Sequence, residues 1–265
     1  MDIFVPVMIM GALGILFGAG LAVASKKLAV TVDPRLEKIA GLLPGVNCGA
    51  CGAAGCFGFA EALLSGKMTV DACKGVTDDA RAAIAKVLGQ TIEKKIKKTA
   101  VLHCNGGSRV QEKYAYSGLR DCIAANALMQ GPKACSFGCL GFGTCVSVCP
   151  FGALSMSKEG LPVVDARTCK ACGKCVTACP KKLFTIEAVS QPVYVACVSK
   201  DIGKDTKAAC SVGCIGCKLC EKACKFDAIR VVTNAAVIDY HKCTSCKACV
   251  KVCPSHTILI REDKP

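Results

Sequence analysis

The sequence predicts an α+β chain: a long apolar N-terminal helix, a small helical domain, and two copies of a compact unit made of short hairpins. Three observations carry that expectation. Residues 3–24, IFVPVMIMGALGILFGAGLAVA, contain no charge. Cysteine supplies 24 of the 265 residues and falls mostly in closely spaced groups. The stretches ACSFGCLGFGTCVSVCP (134–150) and ACSVGCIGCKLCEKAC (209–224) align almost residue for residue, which marks a duplication.

The apolar run comes first. Its length as a helix is about 33 Å, enough to cross a hydrocarbon core. Pro6 falls in the first turn, where a helix tolerates it. Gly14 and Gly18 have the GxxxG spacing that lets membrane helices approach closely. Lys26, Lys27, Arg35 and Lys38 follow, so the positive-inside rule puts the rest of the chain in the cytoplasm. A cleaved signal peptide is the alternative, since Ala22-Val23-Ala24 resembles a cleavage site. The acidic Asp2 and the lack of a basic residue before the run argue against it. The expectation is a retained single-pass anchor in the inner (cytoplasmic) membrane.

So much cysteine has two ordinary explanations, a disulfide scaffold or metal ligation. Disulfide scaffolds are short secreted chains, and repeated C-x2-C spacing points to metal. Trp is absent and aromatics are 5% of the chain, so inorganic cofactors would have to serve as small cores. The formal net charge of +14 would suggest an acidic partner. Each [4Fe–4S] cluster with four thiolates carries about −2, however, so five would offset about −10 of that excess. Nucleic-acid binding is not expected.

The first group is Cys48-x2-Cys51-x4-Cys56-x16-Cys73. Gly and Ala between its members let the backbone wrap tightly around a cluster. Four cysteines without a neighbouring histidine fit one [4Fe–4S] site, with a structural zinc as the bland alternative. A helix is expected from Phe57 to Leu64, and an amphipathic one over DDARAAIAKVL (78–88), ended by Gly89. The basic run IEKKIKK (92–98) reads as a solvated connection.

The clearest signal is Cys169-x2-Cys172-x2-Cys175-x3-Cys179-Pro180. In such runs three thiolates hold one cube and the fourth reaches the other cluster of a pair. Cys149 should therefore join Cys169, Cys172 and Cys175, while Cys179 joins Cys139 and Cys145. In the second copy, Cys214, Cys217 and Cys220 should pair with Cys253, and Cys243, Cys246 and Cys249 with Cys224. The alternations ALSMS, LPVVD, AIRVVT and AVIDY between the motifs read as the short hairpins of bacterial-type 2[4Fe–4S] ferredoxin-like units. The expected divisions are a transmembrane anchor (1–27), an N-terminal 4Fe-4S domain (28–90), a connector (91–130) and two ferredoxin-like units (131–190 and 191–265).

The apolar helix, the basic turn, NCGACGAAGC with its distant Cys73, and the paired ferredoxin motifs together resemble the B subunit of the Rnf ion-translocating ferredoxin oxidoreductase complexes, over essentially the whole chain. That resemblance implies an electron-transfer subunit of a membrane translocase with no substrate-converting site of its own. It also implies other Rnf subunits as partners, soluble ferredoxin as electron donor or acceptor, and coupling to Na+ or H+ translocation. The runner-up is the iron–sulfur subunit of another membrane oxidoreductase, of hydrogenase or formate dehydrogenase type. A zinc-binding interaction module is the third reading.

One position departs from the family pattern. Phe142 stands where Cys217 stands in the second copy. The preferred substitute ligand is Cys135, giving a cluster on Cys135, Cys139, Cys145 and Cys179. A three-ligand [3Fe–4S] site and a ligand from Cys122 or Cys104 are the alternatives. Cys104, Cys122, Cys197 and Cys210 then remain outside the five expected [4Fe–4S] clusters, as spare thiols or as ligands of a sixth. Cys104 in VLHC and Cys197 in VYVAC look repeat-equivalent, as do Cys135 and Cys210. His103, His241 and His256 are read as hydrogen-bonding neighbours.

Overall fold

The structure, a computed structural model, describes residues 4–27, 33–90 and 96–261, so the basic connection at 92–98 lies largely outside it. Helix α1 (Phe4–Lys27) is about 36 Å long at the α-helical rise. Its segment Val7–Lys27 has a mean hydropathy of 2.3 and none of it is buried. A helix that is apolar all round and unpacked against its own chain suits a lipid surround. The Cβ positions of Gly14 and Gly18 face open space, which leaves the small-residue face available to another helix.

The N-terminal domain packs α2 (Pro34–Leu42), α3 (Gly55–Leu64) and α4 (Asp78–Leu88) around Ile39, Phe59 and Ile84, all essentially inaccessible to solvent. Local chemistry sets the helix ends. The Asp33 carboxylate accepts from the Arg35 amide ahead of Pro34, and the Thr77 hydroxyl accepts from the Ala80 amide. Gly89 closes α4 at φ 67°, a left-handed conformation that favours glycine. Buried Arg81 reaches from α4 to Asp71 at 2.8 Å, which ties the helix to the turn that delivers Cys73.

The rest of the chain is a duplicated arrangement. In the first unit β1 (Lys98–Leu102) pairs antiparallel with β4 (Phe184–Ala188), around an inner hairpin of β2 (Leu154–Met156) and β3 (Pro162–Val164). In the second, β5 (Val193–Val195) pairs with β8 (Ile258–Ile260), around β6 (Ile229–Val232) and β7 (Ala235–Ile238). All four expected alternations are strands. The connector contributes β1, and also α5 (Cys122–Ala127), to the first unit. In the second unit α8 (Gly203–Ala209) lies between β5 and the first C-x2-C loop.

Four short helices follow the cysteine loops: α6 (Thr144–Ser147), α7 (Lys174–Ala178), α9 (Leu219–Ala223) and α10 (Ala248–Lys251). Each begins after a left-handed residue, Gly143, Gly173, Lys218 or Lys247, with φ between 60° and 82°. The turn therefore recurs whether glycine or lysine occupies it. It also recurs beside Phe142, where the cysteine is missing.

Candidate metal centres

Five cavities of similar size collect most of the cysteines. Cys48, Cys51, Cys56 and Cys73 line one of about 400 Å³ between α3 and the Cys73 turn. Cys149, Cys169, Cys172 and Cys175 line one of about 300 Å³. Cys224, Cys243, Cys246 and Cys249 line one of about 360 Å³. Cys122, Cys139, Cys145 and Cys179 surround about 370 Å³. Cys104, Cys135, Cys197 and Cys210 surround about 340 Å³ where the two units meet. The remaining four form a sixth set, with Cys214, Cys217 and Cys253 around buried Cys220.

Each set offers four thiols, the number that holds a [4Fe–4S] cluster, and five of the sets line a cavity. Among the described residues no three His, Cys, Asp or Glu side chains converge tightly enough for one bare ion. A zinc ion would draw four sulfurs to about 2.3 Å from a single point. Burial and then neighbouring cysteines push the thiols upward, Cys139 and Cys175 to about 12 and Cys145, Cys197 and Cys220 to about 11. Loading must therefore expel protons as metal–sulfur bonds form.

Backbone amides also point at several of the other sulfurs. Ala171 N–H donates to Cys169 Sγ at 3.4 Å and Ser245 N–H to Cys243 Sγ at 3.4 Å. Leu183, Ala228 and Thr257 donate in the same way to Cys179, Cys224 and Cys253, at 3.5, 3.3 and 3.3 Å. Such donors stabilise negative charge on ligating sulfur.

Comparison with known proteins agrees with this chemistry. Residues 43–74 match the family described as "Putative Fe-S cluster", and residues 134–183 and 213–258 each match the "4Fe-4S dicluster domain" family. The B subunit of an ion-translocating oxidoreductase complex from Methanosarcina acetivorans is 45% identical over 96% of this chain and 96% of its own length. The chain belongs to the family of Rnf B subunits. The B subunit of the Na(+)-translocating ferredoxin:NAD(+) oxidoreductase complex of Acetobacterium woodii is 44% identical over 97% of this chain and 77% of its own length. The B subunit of the proton-translocating ferredoxin:NAD(+) oxidoreductase complex of Clostridium ljungdahlii is 40% identical over 94% of this chain and 89% of its own length.

In this Rnf family member the matched segments leave out Cys104, Cys122, Cys197 and Cys210, and the structure places all four at cavities or beside them. Two placements differ from the sequence expectation. Cys135 does not sit with Cys139, Cys145 and Cys179; it lines the cavity between the units. The fourth cysteine beside those three is Cys122, from the first turn of α5.

A small polar network holds Cys122 there. The Asp121 carboxylate accepts from the Ile123 and Ala124 amides at 2.8 and 3.0 Å, which caps α5. The Thr144 hydroxyl donates to Asp121 at 2.8 Å and accepts from the Cys122 amide at 2.8 Å, so α5 is locked to the start of α6. Phe142 packs on Tyr116, ring centroids 5.4 Å apart, in the small cluster under Cys122. Spacing could not reveal Cys122, because it lies 17 residues before Cys139. The Asp–Cys pair at a helix start was its one local signal.

Of the histidines, His103 lines the cavity between the units. Its Nδ1–H donates to the Val195 carbonyl at 2.7 Å, and Nε2 accepts from the Thr185 hydroxyl at 2.8 Å. With both nitrogens engaged, it is a structural neighbour. His241 and His256 line none of the five cavities.

Proposed function

We propose that this chain is the membrane-anchored electron-transfer subunit of an Rnf-type complex, taking electrons from reduced ferredoxin and delivering them toward partner subunits as Na+ or H+ is translocated. The residues that would hold its clusters are the cysteine sets just described. When bound, a [4Fe–4S] cluster supplies one-electron transfer without moving atoms or protons. Everything else the protein provides is placement and electrostatics.

One observation carries the direction of entry. Cys217 and Cys246, both in the second unit, are the exposed cysteines of the chain. Lys218, Lys222, Lys247 and Lys251 stand exposed around them. Clustered lysines at the most accessible thiolates suit an acidic redox protein docking there. At the other end, the cavity of Cys48, Cys51, Cys56 and Cys73 also includes Cys172 and Phe151 of the first unit. The anchor precedes that end in the chain, which supports exit near a cytoplasmic membrane face. Relatives named for Na+ and for proton translocation are similarly close, at 44% and 40% identity, so overall similarity to this chain selects neither ion.

The experiment is stopped-flow oxidation of reduced ferredoxin by the anaerobically purified protein. Wild type should react fast, with a rate that falls steeply as salt rises. Lys218→Glu with Lys247→Glu should slow association at low salt about tenfold or more while leaving iron content unchanged. A colourless wild-type protein with stoichiometric zinc would sink the electron-transfer reading. An unchanged rate in the lysine variant would move the docking site elsewhere.

A further inference from the structure

We propose that Cys104, Cys135, Cys197 and Cys210 hold a sixth [4Fe–4S] cluster, built half from each ferredoxin-like unit and joining the two. The proposal rests on the redox reading above but assigns a site that neither dicluster match contains as a set.

The four residues come in repeat-equivalent pairs. Cys104 and Cys197 each lie two residues beyond the opening strand of their unit, β1 or β5. Cys135 and Cys210 each stand four residues before the first cysteine of their loop, Cys139 or Cys214. The two units meet here through main-chain contacts. The Asn105 amide donates to the Ala196 carbonyl at 3.1 Å, and Val110 bridges Cys210. Residues 31 and 13 positions apart in sequence, and from two separate units, thus converge on one cavity.

The sulfurs are also treated alike. The amides of Phe137 and Gly138 face Cys135, and those of Val212 and Gly213 face Cys210. The Cys139 amide donates to Cys104 Sγ at 3.4 Å. The Cys214 amide does the same for Cys197, joined by Ser199 at 3.5 Å. Spare buried thiols have no need of such paired donors, whereas ligating thiolates do. Gly106 supplies the last element. A Cβ there would stand 3.5 Å from Cys210 Sγ, 3.7 Å from Cys104 Sγ and only 2.6 Å from Val110, so a bare backbone lets the chain lie against both sulfurs.

Those same hydrogen bonds give the site a purpose. Cys139 lines the neighbouring cavity of the first unit, and Cys214 belongs to the neighbouring set of the second. The site is therefore one hydrogen bond from ligand residues on either side. Without a cluster there, the two units would face each other across a gap lined by four thiols.

The test is iron and sulfide quantitation with EPR on the anaerobically purified full-length chain. Wild type should carry about 24 Fe. Cys197→Ala/Cys210→Ala and Cys104→Ala/Cys135→Ala should each carry about 20, and so should all four together, because one cluster is lost in every case. About 16 Fe in the quadruple variant would overturn the shared site. Wild type at about 20 Fe, unmoved by these substitutions, would overturn it too while leaving the five-cluster reading intact. Zinc retained in wild type and lost from the variants would also overturn it. Should the alanine variants fold poorly, the single variants Cys135→Ser and Cys210→Ser must perturb the same EPR component. Changes in two different components would refute the proposal.

Discussion

The two ferredoxin-like units have the same strand pairing, the same left-handed turns before their short helices and the same crossed cysteine pattern. They differ in how the last corner of one site is filled. The second unit uses Cys217, inside its own C-x2-C-x2-C loop, where a three-residue step carries the chain from ligand to ligand. The first has Phe142 there, and Cys122 from α5 lines the cavity with Cys139, Cys145 and Cys179 instead. That helix belongs to a long insertion: 30 residues separate Cys104 from Cys135, against 12 between Cys197 and Cys210. The loop conformation survives at Gly143, so the turn does not depend on the ligand. A fourth cysteine can reach a site from a local loop or from a distant helix, provided something fixes the helix end.

Four changes would break or sharpen that contrast. Removing the distant ligand should have the largest effect. Cys122→Ala should lower iron at its site from four to three, read by iron assay and by a [3Fe–4S] signal in the oxidised protein. Adding Phe142→Cys to that variant should restore four irons by making the first unit like the second; failure to recover iron would mean that the Phe142 loop no longer faces the site. Next comes His103→Phe, which removes a hydrogen bond to Val195 across the junction and another to Thr185 within the first unit. It should cost about 2 kcal/mol in chemical denaturation of the loaded protein, with no equivalent residue in the second unit to compensate. Smaller again, Asp121→Ala should lower stability slightly in chemical denaturation through the lost cap. Its signature is selective: the Cys122 site should lose iron first on mild heating, ahead of the sites in the second unit. Uniform loss from all sites would show that Asp121 does not govern Cys122 in particular.

Most of the architecture could be read in the residues because it is locally encoded. An uncharged run long enough to span a bilayer, a Thr-capped helix ended by Gly89, and strand alternations between cysteine loops depend only on near neighbours. The tight cysteine runs were legible for the same reason, since only two to four residues intervene between their neighbouring cysteines. Cys135 misled because proximity in sequence favoured it as the replacement for Phe142. It lies four residues from Cys139, yet its sulfur is turned toward the other unit. Cys122 was obscured by distance along the chain.

By itself, then, the sequence determined the long apolar helix, the three cysteine-rich modules, the grouping of the tight motifs and the duplication. Those features follow from periodicity and short spacing, which leave the chain few conformations to choose from. Tertiary structure alone decided the partners of Cys122, Cys104, Cys135, Cys197 and Cys210. Each is brought to its cavity by contacts between segments far apart in the chain: the Asp121–Thr144 lock for Cys122, and the Asn105–Ala196 and Val110–Cys210 contacts for the other four. Closing loops of that length carries an entropy that no local pattern records, and only the packed fold offsets it.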